Sequence, residues 1–255
     1  MKLIDTHAHI YLGDFDSDRT FLIESAERVG VTKILMPAID IVTHQKMIET
    51  EASSGGIGLS MMGLHPCSVK ENYLTELALI REYLEKRKFV AIGETGLDFY
   101  WDLSFKDQQY EAFQQQIEWA IEYDIPVVIH SRNSTDECIR MVSKNQQGRL
   151  RGVFHCFSGS KEQANQIGEL GFYLGIGGVL TFKNAGLDKV IKDIDPRYLV
   201  LETDAPYLAP VPYRGKRNEP SYIIYVAQKL AEVKGMTVGE VAVITTANAQ
   251  KLFGL

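Results

Sequence analysis

The sequence predicts one α/β domain over residues 1–255, a (β/α)8 TIM barrel, and three observations carry that reading. Eight short apolar runs rich in β-branched residues recur along the chain. Several of the stretches between them show helical periodicity and helix start signals. No glycine-rich phosphate loop follows an early run, as a doubly wound open sheet would usually carry. Strand and helix alternating in this way is the pattern of parallel βαβ units.

The runs are LID (3–5), KILMPA (33–38), GLSMMGL (58–64), KFVAIGE (88–94), IPVVIH (125–130), RGVFH (151–155), FYLGIG (172–177) and YLVLE (198–202). Among the helices, Ser104 is expected to cap the Gln-rich amphipathic segment that runs to Tyr123. Ser160 with Gln163 and Thr237 with Glu240 read as capping boxes, in which two side chains satisfy each other's free backbone N–H. His44 lies in the helical segment VTHQKMIETEA and reads as a solvated surface residue. The Pro-rich stretch 205–220 is expected to be a long loop after the eighth strand, at the barrel end where active sites are built.

With 45% hydrophobic and 24% charged residues, the chain can close one substantial core and is not compositionally disordered. It has no run of about 18 apolar residues, and the start MKLIDTHAHI turns polar before a signal-peptide core can form. Neither a membrane span nor secretion is expected. Cys67, Cys138 and Cys156 form an odd set without a C-x-x-C pair, which suits a reducing, cytoplasmic setting. A formal charge of −6 argues against bulk attraction to nucleic acid but leaves room for a local site, where bound cations would change the field.

The strongest local signal is Asp5-Thr6-His7-Ala8-His9, because side chains two apart on a strand share a face, so His7 and His9 can share one ion. His65, His130 and His155 each follow an apolar run, at the carboxyl end of a predicted strand. Those ends meet around one mouth in a barrel, so five of the six histidines are expected to converge there. Acids stand at equivalent places: Glu94 ends FVAIGE, and Asp204 follows Glu202 in LVLETDAPYL. A carboxylate has two oxygens, so Glu94 can bridge two ions about 3.5 to 4 Å apart. Asp204 can join the ion of His7 and His9 and accept a proton from attacking water. Glu202 and Asp98 read either as orienting partners of the histidines or as ordinary structural ion pairs.

Along nearly its whole length the sequence resembles the TatD-type metal-dependent deoxyribonucleases of the amidohydrolase superfamily. The resemblance lies in DTHAHI (5–10), GLHP (63–66), IGETGLDFYW (92–101), PVVIHSR (126–132), HCFSG (155–159), ETDAPYL (202–208) and NAQKLF (248–253). It implies a metal site of His7, His9, Glu94, His130, His155 and Asp204 bridged by Glu94, and a divalent-ion-dependent activity on DNA ends. Many superfamily relatives bridge their metals with a carboxylated lysine on the fourth strand. Glu94 in that place favours the TatD branch over cyclic-amide hydrolases.

For substrate, Arg132, Arg214, Lys216 and Arg217 are expected to hold phosphates, with Tyr207 or Trp101 offering a face to a base. His65 is expected to contact the scissile phosphate or protonate a leaving oxygen. Cys67 and Cys156 stay outside the ligand set. The expected reaction is exonuclease-type hydrolysis of DNA or an oligonucleotide by hydroxide generated between two divalent cations, with Glu94, Asp204 and His65 as catalytic groups. Magnesium, zinc, manganese and nickel all suit the donor set, and the sequence names no oligomeric partner. The rival is hydrolysis of a carboxylic ester or amide, such as an aminoacyl ester. A non-catalytic barrel that binds metal or a protein would show gaps in the ligand set, and all six residues are present.

Overall fold

Each predicted run overlaps a strand in the computed structural model, which describes residues 1–255. They are β1 (Leu3–Asp5), β2 (Val31–Met36), β3 (Gly58–Ser60), β4 (Ile92–Asp98), β5 (Val127–Arg132), β6 (Gly152–Phe154), β7 (Tyr173–Ile176) and β8 (Leu199–Leu201). All pairings are parallel and between sequence neighbours, in one sheet β1-β2-β3 and another β4-β5-β6-β7-β8. Both seams are joined. Met62 bridges Ile92 at one, while at the other Thr6 N–H donates to Leu201 O (3.0 Å) and His9 N–H to Ala205 O (2.7 Å). The result is an eight-stranded ring, the TIM-barrel architecture.

Nine helices surround it: α1 (Arg19–Arg28), α2 (Ile41–Ser53), α3 (Tyr73–Lys86), α4 (Lys106–Glu122), α5 (Thr135–Asn145), α6 (Lys161–Glu169), α7 (Leu187–Asp193), α8 (Ile223–Lys234) and α9 (Val238–Phe253). Both predicted capping boxes form, at the starts of α6 and α9. Ser104 is not a cap: α4 begins after Phe105, and the backbone of Ser104 is turned to the carboxylate of Asp102 (2.9 Å). Residues 205–219 form the expected loop, with neither helix nor strand. Asn218 ties it down by donating to the carbonyls of Thr203 and Tyr207, both at 2.7 Å.

Alternation along the strands divides the core. Val127, Ile129, Leu199 and Leu201 face the helices, in a cluster of 54 buried residues. Ile4, Leu35, Met61, Ala91, Val128, Val153 and Val200 point the other way and pack together inside the ring. That inner cluster is closed by Ala249, Leu252 and Phe253 of α9. Thr246 of α9 donates to Lys2 O and Asn248 to Leu199 O, so this helix lies across the amino ends of β1 and β8. With one end of the barrel plugged, the carboxyl end is left for the site.

Candidate metal centre

Inward alternation places His130 and Arg132 above Val128, His155 above Val153, and Glu202 and Asp204 above Val200. The other contributors break this rule. Strict alternation from Ile4 would aim Thr6 and Ala8 inward, but the chain bends at Thr6 and His7 and His9 take those places. Strand β4 runs from Ile92 to Asp98 rather than ending at Glu94 as predicted. Its register with β5 shifts between Ile92 and Thr95, and this irregularity turns Glu94 to the interior.

Glu94 is the hub, and its two oxygens serve different groups. Oε2 faces His7 Nε2 (3.2 Å) and His9 Nε2 (3.6 Å). Oε1 faces His155 Nε2 (2.8 Å), His130 Nδ1 (3.0 Å) and His65 Nε2 (3.4 Å). Asp204 Oδ1 lies 3.7 Å from Nε2 of both His7 and His9, on the Oε2 side. All six expected ligands and His65 therefore meet in one place, drawn from β1, β3, β4, β5, β6 and β8 or the segments just beyond them.

The second ring nitrogens are mostly held. His130 Nε2 contacts Asp98 Oδ2 at 2.8 Å, whereas His155 Nδ1 stands 3.6 Å from Glu202 Oε1, beyond hydrogen-bond distance. Asp98 also accepts the backbone N–H groups of Tyr100 and Trp101, which fixes its carboxylate. Asp5 stands in the strongest sequence motif but is given no role there, and Tyr11 goes unnoticed. Asp5 is fully buried and accepts from the Thr203 backbone (2.9 Å) and hydroxyl (2.6 Å), tying the end of β1 to the segment that carries Asp204. Tyr11 lies beside His9 Nδ1 at 2.9 Å. An extra polar residue beside a metal-type motif was the available signal for either. Asp204 itself has φ 59°, a left-handed conformation uncommon outside glycine, fixed by its N–H donating to His7 O at 2.8 Å.

Burial and like charges set the protonation. Burial and the carboxylates of Glu94 and Glu202 push Asp204 up to about 8, against the pull of His155. Burial, reinforced by His155, drives His7 down to about 4, and burial with His7 holds His9 well below the usual range. Burial opposes ionisation of Glu94 too, but His155, His65 and His7 outweigh it and keep the carboxylate charged. Burial also disfavours charge on His155, yet Glu94 and Glu202 lift it well above the ordinary value.

Both ring nitrogens of His7, Nδ1 of His155 and one oxygen of Glu202 are buried without a hydrogen-bond partner. Buried polar atoms are rarely left so, and these lie where carboxylates and imidazoles crowd together. A divalent cation would take up the unpartnered Nε2 lone pair of His7 and offset the negative charge of the carboxylates, so the donor set fits it.

The mouth is a cavity of about 670 Å³ lined by His9, His65, Glu94, His130, His155, Asp204, Cys67, Cys156, Arg132, Trp101 and Tyr207, among others. The guanidinium of Arg132 lies 3.9 Å above the ring of Tyr100 and 5.2 Å from that of Trp101, which is 68% exposed. Arg214, Lys216 and Arg217 do not line it. Arg217 forms a two-point ion pair with Asp18, and Arg214 lies over Phe182. His44 also departs from expectation. It sits on a helix but is fully buried, with Nε2 3.3 Å from Gly63 O and Tyr83 edge-on, because that face of α2 packs against the barrel.

The sequence model of the family described as TatD related DNase matches residues 4–254. The chain belongs to this family. It is 42% identical over 252 residues to the uncharacterized metal-dependent hydrolase YabD of Bacillus subtilis (strain 168), covering 98% of each chain. It is 32% identical over 259 residues to the 3'-5' ssDNA/RNA exonuclease TatD of Pantoea ananatis, covering 99% of this chain and 100% of that one. The crystal structure of YJJV, a TatD homologue from Escherichia coli K12, superposes with a TM-score of 0.94 at 30% identity, over 99% of this chain and 98% of the other. As a TatD-family protein it is a metal-dependent hydrolase. No helix is long and apolar enough to cross a membrane.

Proposed function

We propose that His7, His9, Glu94, His130, His155 and Asp204 hold two divalent cations, and that the protein hydrolyses phosphodiester bonds at the ends of DNA or oligonucleotides. One observation carries the metal reading: the two oxygens of Glu94 face separate nitrogen sets, His7 and His9 on one side, His130 and His155 on the other. A bridging carboxylate needs this division. Asp204 completes the first set, and Asp98 orients the His130 ring of the second.

The cations would act as Lewis acids on a phosphoryl oxygen and lower the pKa of water at the site. The remaining work falls to the chain. Asp204, beside His7 and His9, takes a proton from the attacking water on its carboxylate. His65 Nδ1 accepts the N–H of Cys67 at 3.0 Å, so a neutral ring carries its proton on Nε2, at the site, where it can reach a leaving oxygen. Of the four Lys and Arg residues expected to hold phosphates, Arg132 alone lines the cavity, and exposed Trp101 and Tyr207 offer stacking faces for a base. The name of the Pantoea ananatis relative supports this substrate class. The three free thiols suit a cytoplasmic setting.

The test is metal analysis of the purified protein, followed by assays on end-labelled single-stranded DNA, RNA and an aminoacyl ester, with and without divalent ions. Stepwise shortening of DNA that stops on chelation is the expected result. Ester cleavage with intact oligonucleotides would replace the phosphodiester reading by the rival one.

A further inference from the structure

We propose that Tyr11 is a positioning residue that fixes the proton of His9 on Nδ1 and so keeps the Nε2 lone pair bare for a divalent cation. The inference deepens the metal reading and rests on His9 being a ligand. Its ground is a hydrogen-bond count around one buried phenol. Tyr11 is fully buried, and its oxygen lies 2.6 Å from the carbonyl oxygen of Pro37 and 2.9 Å from His9 Nδ1. Two oxygens that close need a hydrogen between them, and a carbonyl has none to give. The single phenolic hydrogen therefore belongs to the Pro37 contact. The Tyr11 oxygen has only lone pairs left for His9, so Nδ1 must be the donor.

A neutral imidazole carries one ring hydrogen. With that hydrogen on Nδ1, Nε2 presents a lone pair toward Glu94 Oε2 (3.6 Å) and Asp204 Oδ1 (3.7 Å). Facing the charged carboxylate of Glu94, Nε2 would otherwise gain by holding the hydrogen on that side, and a cation would then have to displace it. Tyr11 offsets that preference by offering Nδ1–H the acceptor it needs. His65 shows the opposite arrangement in the same site, since the Cys67 N–H occupies its Nδ1 lone pair and leaves the hydrogen on Nε2. One histidine is thus set as a ligand and its neighbour as a hydrogen donor, each by what sits behind the ring.

Nitrogen-15 NMR of the histidine-labelled, metal-free protein reads ring tautomers directly, with the His9 signals assigned by their loss in His9→Asn. His9 is expected to carry hydrogen on Nδ1 in the unmodified chain. Tyr11→Phe keeps the ring but removes the acceptor. The His9 hydrogen should then move to Nε2, and Mn2+ affinity by titration calorimetry should fall about tenfold. A packing role alone would lower the melting temperature without moving the ring hydrogen. An Nε2–H tautomer of His9 in the unmodified chain overturns the proposal even if Tyr11→Phe fails to fold. An unmoved hydrogen and unchanged Mn2+ affinity in Tyr11→Phe overturn it as well. If the unmodified chain binds no Mn2+, the ligand reading of His9 fails, and with it the purpose assigned to Tyr11, whatever the tautomer.

Discussion

The imidazole rings of His7 and His155 stack face to face, with centroids 3.7 Å apart and planes within 8°. Two imidazolium ions would repel strongly at that spacing. The pair therefore divides its protonation, His7 driven down to about 4 by burial and His155, while His155 is lifted by Glu94 and Glu202 against the effect of burial. Both rings point Nε2 at the same carboxylate, Glu94, but at different oxygens of it.

The stability of the metal-free protein should fall as pH rises from about 6.5 to about 8. Asp204 and Asp5 keep their protons up to about 8 in the folded chain, chiefly through burial, whereas an unfolded aspartate releases its proton near 3.8. The folded state binds more protons in this window, as it also does through His155, so deprotonation costs stability. His7 and His9 act in the opposite sense, but only below the ordinary histidine range of about 6.5. Differential scanning calorimetry across the window gives the sign. A melting temperature that climbed with pH in ion-free buffer would contradict the protonation scheme, and saturating Mn2+ should flatten the fall.

Glu94→Gln retains the shape of the bridge and removes its charge. Turnover should drop about a hundredfold or more, comparable with losing a major electrostatic stabiliser. At least one cation should be bound more weakly, which elemental analysis after gel filtration measures. Full occupancy with normal turnover would remove Glu94 from the bridging place.

Arg132→Ala should weaken binding of single-stranded DNA and reduce the slope of log affinity against log salt by about one, as one phosphate contact is lost. The triple replacement of Arg214, Lys216 and Arg217 by Ala should change the slope less, because Arg217 already neutralises Asp18 and none of the three lines the cavity. Fluorescence titrations at several salt concentrations, in an Asp204→Asn background that spares the substrate, compare the two. A larger effect of the triple variant would move the strand's path to the 205–219 loop.

Trp101→Ala should raise KM for oligonucleotides severalfold while leaving hydrolysis of a small phosphodiester lacking bases unchanged, since base stacking contributes about 1–3 kcal/mol. Equal losses on both substrates would place Trp101 in support of the site rather than in contact with a base.

Most of the architecture was legible because strand and helix periods are written into the order of apolar residues. All eight strands lie at predicted runs, and the two capping boxes form as read. What the pattern cannot carry is a change of parity. The bend at Thr6 and the register shift before Thr95 decide which way His7, His9 and Glu94 point, and both depend on pairing with distant strands. His44 shows the same limit from the helix side. One polar residue on a helix reads as solvated until the neighbour that covers it is known. The roles of Asp5 and Tyr11 were not legible because they lie in partners, Thr203 and the Pro37 carbonyl, that local spacing does not reveal.

The helix that closes the floor of the barrel also sets the order in which the protein can be finished. His7 and His9 belong to the first ten residues, whereas Leu252 and Phe253 are among the last four. His7 and His9 are therefore translated before β8, Asp204 and the α9 plug that enclose the barrel. On the proposed ligand set, the site of a cation shared by His7, His9 and Asp204 would be completed only after β8 has joined the ring. Chains cut short before Leu252 keep all six proposed ligands but lose the side chains that close the inner core beneath them.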